Sequence, residues 1–492
     1  MVARVEDSPR DPVSPLQEAQ HLKPLPTDRL RRVEAWGMTV GGPCYVFRPS
    51  TVEGILDAFD AARNAGKTVA IKGGGNSYGD AFLNREAFVL DLSRMRRILE
   101  WNPATGVIQV EPGATIADVW QYVLEDGWWP PVVSGTAAVT LGGALAANIH
   151  GKNNYRAGPI GEHVRAVWLL TPGGDVLPLS PSQNSELFYA VIGGFGGLGV
   201  VVAAEIQLKK VYSGLLDVSA FATGRWVETL DRLDELAQSN DYAVGWVDGF
   251  ALGAKAGRAI LHSANYLKEG DDPHPEESLS VEFQQIPTTV FGIPKTALPR
   301  LLRPWVRPLT MRWINSLKYR SGKRQDGHRF RQGLAPFNFL LDSIPNWKHA
   351  YRPAGLVQYQ VFTPKESSSQ LFPSLIAMAH EHGFPPFLAV LKRHRPDPFL
   401  LSHAVDGYSL ALDFRVHGKR WEKFLSLANE MTELALAAGS RFYLAKDSVL
   451  SSDQYERAVG ADAVQQYREL KSRLDPEGLL SSELLRRVLL KD

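Results

Sequence analysis

From Tyr45 onward the chain alternates apolar runs, amphipathic stretches and glycine turns. "YVFRPS" reads as a strand, with Ser50 placed to cap the helix that follows. In "TVEGILDAFDAARNAG" the apolar positions Ile55, Ala58, Phe59 and Ala62 recur at helical spacing, and Gly66 supplies the stop. "TVAIK" is a strand running into a glycine turn, and "AFVLDLS" and "GVIQVEPG" are two more. "TIADVWQYVLEDG" predicts a helix with Thr115 as cap, Gly127 as stop and Ile116, Val119, Trp120 and Val123 on one face. "TLGGALAANIHGKN" carries too many small residues for an ordinary packing helix, whereas "NSELFYAVIGG" reads as a short helix and "GVVVAAEIQLKKV" as a strong strand. After Val211 the strands "YAVGWVDGF", "GRAILHSANY", "LVQYQVFTP", "PFLAVLKRH" and "YSLALDFRV" alternate with helices such as "WEKFLSLANEMTELALAAG". That pattern predicts an antiparallel sheet with helices on one face. The tail beyond "RFYLAKDS" is helical, and no fixed-period repeat exists.

A length of 492 residues implies two or three domains. The formal net charge of +1 argues against a dedicated nucleic-acid binder. One cysteine, Cys44, forbids an internal disulfide and suits a reducing cytosol. Residues 1–33 read as a loosely ordered arm, and the first thirty lack the apolar core of a signal peptide. The longest apolar stretch, from about Val191 to Leu208, is glycine-rich and broken by Glu205, so it reads as a buried turn and strand. No metal site is expected.

Three glycine clusters occupy the first 200 residues. Gly73, Gly74 and Gly75, followed by Asn76, Ser77, Tyr78 and Gly79, end a strand. Successive glycines there can turn several amides toward one point as an anion nest, or can form a plain tight turn. Gly135, then Gly142 and Gly143 before His150, Gly151 and Lys152, would let a flat ring lie against the backbone, or would serve close helix–sheet packing. Gly194, Gly196 and Gly199 match GxGxxG, but with a helix before and a strand after, the reverse of a nicotinamide-nucleotide fingerprint. No phosphate-binding "GK[ST]" follows.

Taken in order, these clusters resemble the FAD-binding domain of the vanillyl-alcohol-oxidase superfamily, of PCMH type. "WGMTVGG", "NSYGD", "IHGKNNYRAGPIGEHV", "YRPAGLVQYQVF", "GYSLALDF" and "FYLAKDS" extend the resemblance over nearly the whole chain, to the decaprenylphosphoryl-ribose oxidase family. The resemblance implies an α+β fold: a two-subdomain FAD-binding domain plus an antiparallel-sheet substrate domain with flanking helices. The implied boundaries are 1–33 for the arm, 34–212 for the FAD domain, 213–439 for the substrate (cap) domain and 440–492 for a segment packing back on the FAD domain. The loop Ile71, Lys72, Gly73, Gly74, Gly75, Asn76, Ser77, Tyr78, Gly79, Asp80 and Ala81 would wrap the pyrophosphate. Gly135, Thr140, Leu141, Gly142, Gly143, His150, Gly151, Lys152, Asn153, Val200 and Tyr443 would touch the rest of the cofactor. Many superfamily members tether FAD through a histidine in the first loop. Asn76-Ser77-Tyr78 offers none, which implies non-covalent FAD.

Flavin-linked oxidation of an alcohol needs a carbinol C–H facing the flavin and a polar group that takes the hydroxyl proton. A lysine can do this if burial or crowding by cations lowers its pKa. Lys446 and Lys392 match lysines near the flavin in the resembled family, although a lone lysine is ordinarily a solvated surface charge. Lys446 is expected to handle the proton and Lys392 to hold a substrate phosphate or hydroxyl, with Tyr78 and His150 lining the flavin. Trp246 and Gln358 would shape the pocket or serve only as strand residues. The pattern is broken twice: Ala411 stands where the family has a cysteine, and Asn338 where it has a pocket tyrosine, and both alter the pocket wall. Ile149, before His150, falls where the superfamily pattern places the flavin edge. A bulky side chain there should slow oxygen, so between quinone and oxygen as acceptor the expectation is a dehydrogenase serving a quinone or another carrier.

The expected reaction is oxidation of a secondary alcohol of a sugar or lipid-linked sugar. The alternatives are a soluble aldonolactone or alditol oxidase, a flavin-dependent lipid double-bond reductase, and a binding protein that has lost catalysis; Lys446 and Lys392 argue against the last. Residues 289–324 carry nine lysines and arginines, no acidic residue, and Trp305 and Trp313 among leucines and valine. This stretch could rest on an anionic membrane surface, at the inner face for a cytoplasmic protein, or could be a solvated loop or a disordered lid. Nucleic acid is not an expected partner.

Overall fold

In a computed structural model, residues 25–287, 289–290 and 293–490 are described. Most of the expected arm lies outside them. Its end is ordered, because Leu30–Glu34 (β1) pairs antiparallel with Gly41–Phe47 (β2). Strands Val69–Lys72 (β3) and Phe88–Asp91 (β4) complete a first sheet of order β1-β2-β4-β3, whose last two pairings are parallel. Helix Val52–Asn64 buries Ile55, Ala58, Phe59 and Ala62 against it. The cap is Thr51 rather than the expected Ser50: the Thr51 hydroxyl accepts from the Gly54 amide.

The second subdomain is an antiparallel sheet of order β5-β6-β10-β8-β9. Its strands are Ile98–Asn102 (β5), Val107–Val110 (β6), Val164–Leu170 (β8), Val176–Leu179 (β9) and Val200–Gln207 (β10). Trp128–Trp129 (β7) pairs separately with Lys209–Lys210 (β11). The small-residue segment does form a helix, a short one over Leu141–Ala146, capped by Thr140. Gly142 is obligatory there, since an added Cβ would lie 2.7 Å from the Pro112 side chain.

The rest of the chain is built on eight antiparallel strands in the order β17-β12-β14-β13-β19-β20-β18-β21. They are Leu215–Thr223 (β12), Tyr242–Val247 (β13), Ala259–Tyr266 (β14), Arg329–Gly333 (β17), Gly355–Pro364 (β18), Leu388–His394 (β19), Gly407–Val416 (β20) and Arg441–Phe442 (β21); Thr289–Val290 (β15) and Ile293–Pro294 (β16) form a separate hairpin. Helices Trp226–Ser239, Lys365–Glu381 and Trp421–Ala437 pack against this sheet, covering residues such as Leu261, Leu391, Leu410 and Leu412, which alternate with those of the opposite face. The basic stretch is not the irregular loop that one reading offers: Leu298–Leu302 and Pro308–Lys323 are helices.

The C-terminal segment returns to the first subdomain. Val69 donates to the Leu479 carbonyl at 2.7 Å and Tyr78 to the Ala445 carbonyl at 3.1 Å. Arg487 bridges Asp80 and Asp447, each at 2.8 Å. The glycine loop and the "YLAKDS" segment are thereby held side by side.

Candidate active site

One cavity of about 740 Å³ runs between the glycine loops and the uncovered face of the large sheet. Strand alternation decides which side chains reach it. Trp246 on β13, Val390 on β19, Ala411 on β20 and Gln360 on β18 form one cross-strand row, and all four line the cavity. The neighbouring row brings Leu388, Asp413 and Gln358 together, and Lys392 stands opposite Ser409.

At the sheet end, the Lys446 Nζ lies 3.9 Å from the centre of the Tyr78 ring. Tyr78 in turn packs against Trp36, ring centres 4.7 Å apart. The Lys392 Nζ lies 3.4 Å from one ring nitrogen of His150, and Gln360 Nε2 lies 3.2 Å from the other. Gln358 donates to one oxygen of the Asp413 carboxylate through a short hydrogen bond, while the other oxygen is buried without a partner among the described residues. Desolvation tunes every one of these groups. Burial brings Lys446 down to about 8, partly offset by Asp413. Burial, then the neighbouring Lys446, brings Lys392 down to about 7. Burial raises Asp413 to about 7 against the pull of Gln358 and Lys446. It also holds His150 neutral, well below the usual imidazole range, with Lys392 adding to the effect. Lys152 is pushed down to about 7 by burial and then Lys392, and it donates to the Phe337 carbonyl.

At the other end, the Thr140 hydroxyl accepts from the Gly74 amide at 3.2 Å and locks the loop. Gly75 adopts φ +69°, the left-handed region that favours glycine. No described residue accepts from the backbone N–H groups of Gly75, Asn76 or Ser77, all of which border the cavity. A Cβ on Gly143 would meet only the Thr140 hydroxyl, at 3.1 Å, and would otherwise enter the open space. Free amides beside bare backbone fit a pyrophosphate. The apolar middle of the cavity, with Val133, Val139 and Ile149, fits a ring system.

Of the residues expected to meet the cofactor, Ile71, Gly73, Gly74, Gly75, Asn76, Ser77, Tyr78, Ala81, Gly135, Thr140, Gly142, Gly143, His150, Lys152 and Tyr443 line this cavity. Seven do not. Lys72 turns away to pair with Asp91 at 3.0 Å. Gly79 abuts the Asp447 carbonyl, 2.0 Å from an ideal Cβ. Asp80 is taken by Arg487. Leu141 and Val200 are core. Gly151 packs on Asn153, which donates to the Pro131 carbonyl at 2.8 Å. Trp246, Asn338, Gln358, Lys392 and Ala411 all line the cavity, as does Lys446. Sequence reading missed Asp413, Gln360, His262, Lys318 and Trp347, which share the lining. The signal for Asp413 and Gln360 was present, since each is two residues from an expected pocket residue on its own strand.

A family model for an FAD binding domain matches residues 43–180. Over 466 residues the chain is 29% identical to decaprenylphosphoryl-beta-D-ribose oxidase of Mycolicibacterium smegmatis, covering 94% of this chain and 98% of that one. The chain belongs to the PCMH-type FAD-binding flavoproteins. It is an FAD-dependent oxidoreductase. This flavoprotein is also 30% identical over 381 residues to an uncharacterized protein in the mprA 5' region of Streptomyces coelicolor, covering 75% of this chain and 98% of that one. It is 28% identical over 212 residues to L-gulonolactone oxidase of Bos taurus, covering 43% and 47% of the two chains.

Proposed function

We propose that this flavoprotein oxidises a secondary alcohol of a sugar or lipid-linked sugar, binding FAD non-covalently. The observation that carries the reading is the group formed by Lys446, Lys392 and Asp413 at one end of a cavity whose other end presents unpartnered amides. Bound FAD supplies a hydride acceptor. Lys446, brought down to about 8, takes the hydroxyl proton as a base of which a fraction is already neutral near physiological pH. Asp413 sets how far its pKa falls, and Gln358 fixes the Asp413 carboxylate. Lys392, supported on His150, holds a substrate oxygen. Full-length similarity to decaprenylphosphoryl-beta-D-ribose oxidase favours a lipid-linked pentose over the soluble lactone that L-gulonolactone oxidase names, since that second similarity spans under half the chain.

Non-covalent binding is supported by the loop Asn76-Ser77-Tyr78, which has no histidine or cysteine, and by Cys44, which is buried away from the cavity. Acid precipitation should then release the flavin into the supernatant. The substrate test is anaerobic: polyprenyl-phosphoryl pentoses, lactones and alditols are mixed in turn with the flavin-loaded protein. Bleaching by the first class supports the reading. Bleaching by lactones alone would replace it with the aldonolactone oxidase reading.

A further inference from the structure

We propose that the outer face of helix Pro308–Lys323, with the turn before it, docks on an anionic lipid bilayer. Seven of the large apolar side chains that the fold leaves exposed crowd into residues 301–317. Leu309 is 71% exposed, Trp313 66% and Trp305 62%, values rare for residues of this size unless something covers them. Leu309, Trp313 and Leu317 recur every four residues and so share one side of the helix. The opposite side is the packed one. Asn315 is buried, and a Cβ on Gly322 would lie 2.5 Å from the Ile260 side chain. The helix is thus amphipathic in the reverse sense, with its apolar stripe turned outward.

The charge around that stripe says what covers it. Nine lysines and arginines lie between residues 289 and 324 with no acidic residue among them. Among the described residues none of the nine forms an ion pair with a carboxylate, whereas most other arginines of the chain do. Arg312 lies to one side of the apolar stripe, and Arg320 and Arg324 continue it at the C-terminal end of the helix. A second copy meeting this face through a two-fold axis would set one cationic patch against another. A nucleic acid would satisfy the cations but would lay phosphates over leucine and tryptophan. A bilayer with anionic headgroups satisfies both, with apolar side chains below the headgroup level and arginines among the phosphates. The geometry has a functional corollary. Lys318, on the same helix, sits 4.5 Å from the Trp246 ring, and both residues line the cavity, so the helix that carries the docked face also borders the cavity.

The inference stands apart from the proposed chemistry, because neither Lys446 nor the alcohol enters it. The test is flotation of the full flavin-loaded chain with vesicles of phosphatidylcholine alone, and of phosphatidylcholine with about one third phosphatidylglycerol. Flotation is expected with the anionic vesicles, at least roughly tenfold stronger than with the neutral ones and weakened by salt. The double variant Leu309→Asp/Leu317→Asp should lose it by a similar factor while retaining its flavin. The triple variant Arg312→Gln/Arg320→Gln/Arg324→Gln should lose the preference for anionic lipid, and it carries the test if the first variant does not fold. Failure to float, equal flotation with neutral lipid, or undiminished flotation of both variants would overturn the proposal. So would a concentration-dependent dimer that the leucine variant dissociates, which would assign the face to a second copy.

Discussion

Replacing Lys446 by methionine tests the proposed proton transfer most directly. The change keeps the volume and the contact over Tyr78 and removes only the amine. With the ammonium pKa brought down to about 8, roughly one molecule in ten carries neutral Lys446 at pH 7 and about nine in ten at pH 9. A base that must be neutral therefore makes the rate of alcohol-driven flavin bleaching rise about tenfold over that span and level off above pH 8. Deleting the base should lower the plateau by about 10²–10⁴, or ~3–5 kcal/mol in the barrier, and flatten the pH profile. Lys446→Arg should behave like the methionine variant, because a guanidinium keeps its proton throughout. The assay is anaerobic stopped-flow at saturating alcohol, with flavin content measured beforehand so that lost binding is not mistaken for lost chemistry. A methionine variant within a few-fold of the parent, with its rising limb intact, would refute Lys446 as the base.

Three further outcomes follow from neighbouring contacts. Asp413→Asn removes the carboxylate that favours the charged form of Lys446, so the limb of the pH–rate profile should move to lower pH; an unmoved or raised limb would disconnect the pair. Arg487→Met leaves the Asp80 and Asp447 carboxylates facing each other where the C-terminal segment meets the glycine loop, and should cost ~3 kcal/mol in chemical denaturation with weaker flavin retention. Ile149→Ala should accelerate reoxidation of the reduced protein in air if the buried Ile149 side chain, which lines the cavity, blocks oxygen; an unchanged half-life would remove Ile149 from the account.

Much of this architecture is legible in the chain because local rules and tertiary packing agree. The helix at Val52–Asn64 buries the four positions its periodicity selects, and strands such as "LVQYQVF" follow from β-branched and aromatic content. What escapes is whatever depends on register. Gln358 and Asp413 are 55 residues apart and meet only because β18 pairs with β20 in one particular alignment. A slip of one residue would send Asp413 into the apolar layer beneath the sheet and bring its neighbours Leu412 and Phe414 to the cavity. The helix in the basic stretch escapes for a different reason: a stripe of leucine and tryptophan does not say, in a sequence, whether it turns inward or outward.

The same burial that selects the lysines also explains why they sit where they do. Lys152, Lys392 and Lys446 share one cavity, and the only carboxylates among its lining are Asp413 and Asp342, the latter engaged by Thr136 and the Ala137 amide. Three ammonium groups so enclosed cannot all stay charged without anions beside them, which is why their pKa values fall to between about 7 and about 8. A surface lysine could not serve as a base at neutral pH, whereas one of these can, with no change of residue type. The apolar strand runs that make the sheet a good core thus also make the lysines enclosed against it chemically useful, and the proposed chemistry rests on the exclusion of water as much as on the amines themselves.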